Sequence, residues 1–110
     1  MPENEYDICM KTSMGSRYGK MRVVMEQSKL SGFIDVLKQP EAFTGEIDGN
    51  GNCTIYGKLV TLMQTIPYVA TGKISADAIF LILQGGQSTF EINGVARRKG
   101  METDPREKDL

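Results

Sequence analysis

Six glycines stand inside segments that otherwise read as β-strands, and their spacing restricts what this chain can become. They occur in Tyr18-Gly19-Lys20-Met21, Ser31-Gly32-Phe33-Ile34, Thr44-Gly45-Glu46-Ile47, Tyr56-Gly57-Lys58-Leu59, Thr71-Gly72-Lys73-Ile74 and Asn93-Gly94-Val95-Ala96. Successive intervals are 13, 13, 12, 15 and 22 residues, so the first five glycines lie one strand and one turn apart. The long interval spans one further strand that carries no equivalent glycine. Solenoids and propellers repeat every 20–50 residues or so. A shorter period fits one strand per repeat.

Alternation of apolar and polar residues predicts strands near 4–13, 17–25, 30–37, 42–47, 53–62, 66–74, 78–84 and 87–97, and no helix. The links, among them Lys38-Gln39-Pro40-Glu41 and Asp48-Gly49-Asn50-Gly51-Asn52, are all short. Each strand should therefore pair antiparallel with the next. Positions two apart share a face of a sheet. The glycines keep phase with Met21 and Val23, Leu30 and Ile34, Phe43 and Ile47, Cys53 and Ile55, Tyr68 and Ala70, and Ile92. The other phase holds Lys20, Arg22, Asp35, Thr44, Glu46, Lys58, Lys73 and Glu91. Inward glycines let strands bend tightly around a narrow interior. The expected fold is all-β, an eight-stranded antiparallel up-and-down meander closed into a small barrel; the same pattern on an open sheet or flattened sandwich is the alternative. Residues 1–97 form the single domain, and 98–110, mixed in charge and poor in apolar residues, are expected as a flexible tail.

The turn Met10-Lys11-Thr12-Ser13-Met14-Gly15, followed by the Tyr18-Gly19 strand, resembles small, largely uncharacterised bacterial barrels of calycin-like (lipocalin- or avidin-like) architecture. Such sequences alternate lysine-threonine-proline-methionine-glycine turns with serine-glycine or threonine-glycine strands. Here Ser13 replaces the proline, Leu62-Met63-Gln64-Thr65 lacks the glycine, and Leu83-Gln84-Gly85-Gly86 keeps only glycine. The resemblance covers residues 5–97 and implies an eight-strand barrel with an interior for a hydrophobic ligand. It brings no catalytic residue with it.

Composition narrows the chemistry. The chain of 110 residues has no histidine, which removes serine or cysteine nucleophiles activated by histidine and most zinc geometries. Two cysteines make neither a disulfide scaffold nor a four-ligand metal site. Thirteen basic residues against 14 acidic ones give no electrostatic case for nucleic acid. The acidic N-terminus lacks the features of a signal peptide, and the longest apolar run, Ala78 to Leu83, is far short of a membrane-spanning helix. A cytoplasmic protein with free thiols is expected; the Asn52-Cys53-Thr54 sequon then goes unused. No cofactor is expected.

Asp48-Gly49-Asn50-Gly51-Asn52 imitates the start of a calcium loop, but Cys53 and Leu59 occupy the places of its essential glycine and glutamate. Turn formation is the reading preferred. Cys53 is expected as a buried small hydrophobe, without a cation to activate it. Arg17, Lys20 and Arg22 could gather with Arg97, Arg98 and Lys99 across the first and last strands, although solvated strand-face charge explains them as well. No carboxylate is read on the inward phase, so acid–base catalysis has no evident seat.

Two functional readings remain. In the first, a small apolar molecule occupies the barrel interior, bound by Tyr6, Met10, Met21, Met25, Phe43, Tyr68 and Phe90, with a tyrosine hydroxyl holding its polar end. In the second the interior is solid and the outer wall associates. Val24, Phe33, Leu37, Val60, Leu62, Val69 and Val95 point outward, and the seventh strand is apolar on both faces. Strands of that kind are normally covered on both sides. A homodimer or partner interface through Phe33, Val60, Leu62, Phe80 and Ile82 follows.

Overall fold

A computed structural model describes residues 3–36 and 39–97. Eight strands follow in order: β1 (Glu3–Thr12), β2 (Gly15–Glu26), β3 (Lys29–Asp35), β4 (Pro40–Ile47), β5 (Asn52–Val60), β6 (Thr65–Ile74), β7 (Ala78–Gly85) and β8 (Ser88–Arg97). Each pairs antiparallel with its sequence neighbour, and β1 also pairs with β8 from Glu5↔Arg97 to Lys11↔Glu91. The sheet thus closes, and among the described residues no edge strand is left exposed. The expected meander is the fold. The tail at 98–110, with Arg98, Lys99 and the outward Leu37, lies outside the described residues.

Period-two patterning positions nearly every side chain. On β4 burial alternates from Phe43 through Gly45 to Ile47, and on β7 Ile79, Leu81 and Leu83 point in while Phe80 points out. Among the described residues the buried set contains no polar or charged side chain except the two tyrosine hydroxyls. An eight-strand barrel has an interior just wide enough for its own side chains. Here they fill it: Met10, Met21, Ile55, Ala70, Leu81, Leu83 and Ile92 are all fully or almost fully buried. Each large apolar side chain so buried contributes about 1.5–3 kcal/mol.

Hydroxyl residues end several strands by one recurring device. The Thr12 hydroxyl donates to the Gly15 carbonyl at 2.8 Å and accepts from the Met14 amide at 3.0 Å. Thr61 donates to the Gln64 carbonyl at 3.0 Å and accepts from the Met63 and Gln64 amides. Ser75 does the same around Ala78. Such side-chain bonds compete with the ladder and turn the chain. This corrects the expectation for Leu62. Thr61 closes a turn, β5 stops at Val60, and Leu62 sits at the turn tip, 89% exposed, instead of on the barrel wall.

The inward glycines fall into two groups. At Gly19, Gly32, Gly45 and Gly72 a Cβ would run into a carbonyl oxygen of the adjacent strand, respectively that of Asp35, Arg22, Thr54 and Phe80. There the backbone of the neighbouring strand leaves no room, as a tightly coiled small barrel demands. Gly57 instead lies beneath the Tyr68 side chain, and Gly94 beneath Ile8 and Ile79, with the Asp7 carbonyl oxygen also 2.9 Å from the place of a Cβ.

Candidate ligand site at one end of the barrel

An up-and-down barrel has two unlike ends. The β2–β3, β4–β5 and β6–β7 turns gather at one, together with Glu3 and Arg97; the β1–β2, β3–β4, β5–β6 and β7–β8 hairpins gather at the other. Tyr6 seals the first end. Its hydroxyl donates to the Ser75 carbonyl at 2.6 Å and accepts from Asn4 Nδ2 at 3.3 Å, which ties β1 to the β6–β7 turn. Burial, partly offset by the Asn4 hydrogen bond, pushes its pKa up, and the Asp77 charge adds to the shift. Nearby, the Ala96 amide donates to the Asp77 carbonyl at 2.8 Å.

The seven expected ligand residues therefore do not form one site. Tyr6 and Met25 belong to the sealed end, Met25 partly buried against the core beside Leu30, and Met21 lies between the ends, opposite Tyr6. Met10, Phe43, Tyr68 and Phe90 lie in the half nearer the hairpins. Phe43 and Tyr68 flank Gly57 on the same rung of the sheet. Met10 pairs with Ile92, and Phe90, two residues before it on the same face, pairs with Leu83 and is partly exposed.

Tyr68 dominates this end. Its ring lies over Gly57, with the oxygen 2.6 Å and Cζ 2.9 Å from the place a Cβ there would occupy. The glycine makes room and the aromatic ring covers the gap it leaves. The side chain is 4% exposed, and its hydroxyl has no hydrogen-bond partner among the described residues. No fully buried side-chain polar atom among those residues lacks a partner. Burial raises its pKa strongly, and the Glu41 charge adds to the shift. The hydroxyl stays neutral and able to donate throughout the physiological range.

Glu41 is the residue that sequence patterning misses. The pattern puts it in a loop and no carboxylate on the inward phase. β4 starts instead at Pro40, which places Glu41, partly buried, on the same face as Phe43 and opposite Ile34. Proline is accepted at the first residue of a strand, and that was the available signal. The Gln39 side-chain amide donates to Glu41 Oε2 at 2.7 Å.

The outer wall presents several separate features. Phe33, 48% exposed, stands on β3, whereas Phe80, 42% exposed, and the partly exposed Ile82 stand on β7, across the ring of strands. Val60 ends β5, between those two sides. These positions and Leu62 do not share one surface. A different row runs across neighbouring strands through Tyr18, Cys9, Asn93, Phe80 and Lys73. It borders a groove of about 690 Å³ that also includes Asn50, Ala78 and Val95. Elsewhere on the outer wall Arg22 pairs with Glu5 at 2.9 Å and Glu3 at 3.1 Å, and Arg97 with Asp7 at 3.4 Å.

Asp48 is spent on its own turn, accepting from the Asn50 amide at 2.8 Å and the Asn52 amide at 3.0 Å, bonds that lower its pKa. Cys53 is buried, and burial, with the Asp48 charge, pushes its thiol up to about 11 against a Gly72 backbone hydrogen bond that lowers it. The unfolded thiol loses its proton first as pH rises from about 9, so the unfolded state is favoured between about 9 and 11. The expected loss is at most about 2–3 kcal/mol from Cys53, joined by Tyr68 at higher pH. Thermal melts should be level between pH 6 and about 8 and fall beyond pH 9, and Cys53→Ala should delay that fall by about one pH unit. An identical alkaline profile in the variant refutes this assignment.

The architecture is that of a closed eight-stranded antiparallel barrel, tied shut at one end by the Tyr6 hydrogen bonds. Two solved structures share it. A de novo designed fluorescence-activating β-barrel aligns with a TM-score of 0.54 and 13% identity over 86% of this chain and 90% of its own. A redesigned β-barrel, mFAP1, bound to DFHBI, aligns at 0.53 and 12% identity over 86% and 92%. At these identities the likeness is one of fold. No protein-family model and no curated protein matches the chain. Among the described residues no helix is long and apolar enough to cross a membrane.

Proposed function

We propose that this protein is a small-molecule-binding barrel whose ligand seats at the hairpin end, over Met10, Phe43, Tyr68 and Phe90. The observation that carries the reading is the Tyr68 hydroxyl: a polar atom without a partner among the described residues, on an otherwise buried side chain, at the edge of an apolar cluster. Ligand sites commonly combine apolar lining with a few such polar groups. The filled middle and the Tyr6 seal favour a seat near this end, not along the whole interior. The calycin-like resemblance and the DFHBI-bound designed barrel support the same class of function.

Nile red, neutral and apolar with a carbonyl acceptor, is a suitable probe. It is expected to bind the folded protein at one site, with enhanced fluorescence. Tyr68→Phe should weaken binding by about 2- to 12-fold, as expected for a single neutral hydrogen bond. Phe80→Ser, on the outer wall, should leave it unchanged. Absence of saturable binding, or loss of binding in Phe80→Ser with Tyr68→Phe unaffected, overturns the reading.

A further inference from the structure

The polar half of the hairpin-end site has a definite character. Glu41 lies two residues before Phe43 on the same inward face, and Phe43 flanks the glycine that the Tyr68 ring covers. Among the described residues the partner of the Glu41 carboxylate is the Gln39 amide, and no Lys or Arg forms an ion pair with it. Arg17 shares the inward phase of β2 at this end but is exposed and unpaired with Glu41. Half-buried Glu41 thus shares the inward face of this end with the buried Tyr68 phenol, on which its charge acts and whose oxygen has no partner among those residues, and with half-buried Phe90 and Ile66.

We propose that the ligand is a cationic amphiphile: an apolar body carrying a primary or secondary ammonium group. The ammonium donates to the Glu41 carboxylate and to the Tyr68 oxygen, and the apolar part packs on Phe90 and Ile66. Two acceptors suit a head group with several N–H donors and no lone pair of its own. Aromatic faces tolerate such a cation, whereas a carboxylate head would meet Glu41 with like charge. A neutral alcohol satisfies the Tyr68 hydroxyl but gains nothing from the charge.

This inference rests on the hairpin-end site proposed above, and one competition series separates the two. Nile red bound to the full chain is displaced by n-octylamine, n-octanol or n-octanoate, all below micelle formation and at neutral pH. Octylammonium is expected to displace the dye at about tenfold lower concentration than octanoate, a charge-assisted contact at a partly solvated rim being of that order. Octanol should fall between them. In Glu41→Gln the advantage should shrink to about threefold or less, each displacement being referred to the Nile red affinity measured for that variant. Equal displacement by all three, or preference for octanoate, overturns the ligand class while the site stands. A preference for octylammonium that persists in Glu41→Gln removes Glu41 from the assignment. Failure of Nile red to bind at all removes the site, and this inference with it.

Discussion

Gly72→Ala is expected to cost about 3 kcal/mol or more and to leave the barrel largely unfolded well below the melting temperature of the parent protein. One methyl group has that effect because of what it would touch. A Cβ on Gly72 falls on the carbonyl oxygen of Phe80, and also 2.9 Å from the Leu81 Cα. Both are backbone atoms of β7, which pairs with β6 from Val69↔Gln84 to Ile74↔Ile79. No rotamer change relieves the clash. The strands must separate, and the ladder bonds around Phe80 and Leu81 stretch with them. Cost depends on whether the obstacle can yield, so the glycines should rank. Gly57→Ala meets the far end of the Tyr68 side chain, at 2.6 Å, which can swing toward solvent, and should be milder. Gly49→Ala meets nothing within 4 Å and serves as the control, within about 0.5 kcal/mol of the parent. Urea or thermal melts of the three variants check the order. A Gly72→Ala protein that melts with the parent would mean that the strand crossing is looser than this close approach.

The same contacts explain what was legible in the sequence. Alternation fixes which side of a strand each residue faces, so the sequence alone turns Tyr6, Met10, Met21, Phe43 and Tyr68 inward. Alternation cannot say which end of the barrel a residue occupies relative to another strand. That depends on register, and register separates Tyr6 and Met25 from Tyr68 and Phe90. It also places Phe33 and Phe80 on opposite sides of the ring. Glycine phase marks the inward face, but the split between backbone-crowded Gly72 and ring-covered Gly57 is a tertiary property. Boundaries caused the remaining differences. The Thr61 turn removed Leu62 from the wall, and the strand that begins at Pro40 put Glu41 on the inner face. A shift of two residues in one strand end thus hid the carboxylate on which the proposed ligand chemistry depends.

Leu81→Ala is expected to cost about 2–5 kcal/mol and, at the same time, to create a binding site that the parent lacks. Leu81 is fully buried in the middle of β7, paired with Gly72 on one side and Ile92 on the other. Truncation removes three heavy atoms from an interior with little means of collapse, since the surrounding wall is a closed ladder. The resulting void would be lined by apolar groups, and such voids stay dry and accept small apolar guests. Saturating benzene should therefore raise the melting temperature of Leu81→Ala and recover part of the lost stability, because a ligand that binds only the folded state stabilises it by mass action. The parent should show a clearly smaller rise, its interior being occupied by its own side chains. Equal stabilisation of both proteins by benzene would mean that room already exists within the barrel. The ligand seat would then extend inward from Tyr68 toward Ile92, and the hairpin-end site would be the mouth of a deeper pocket.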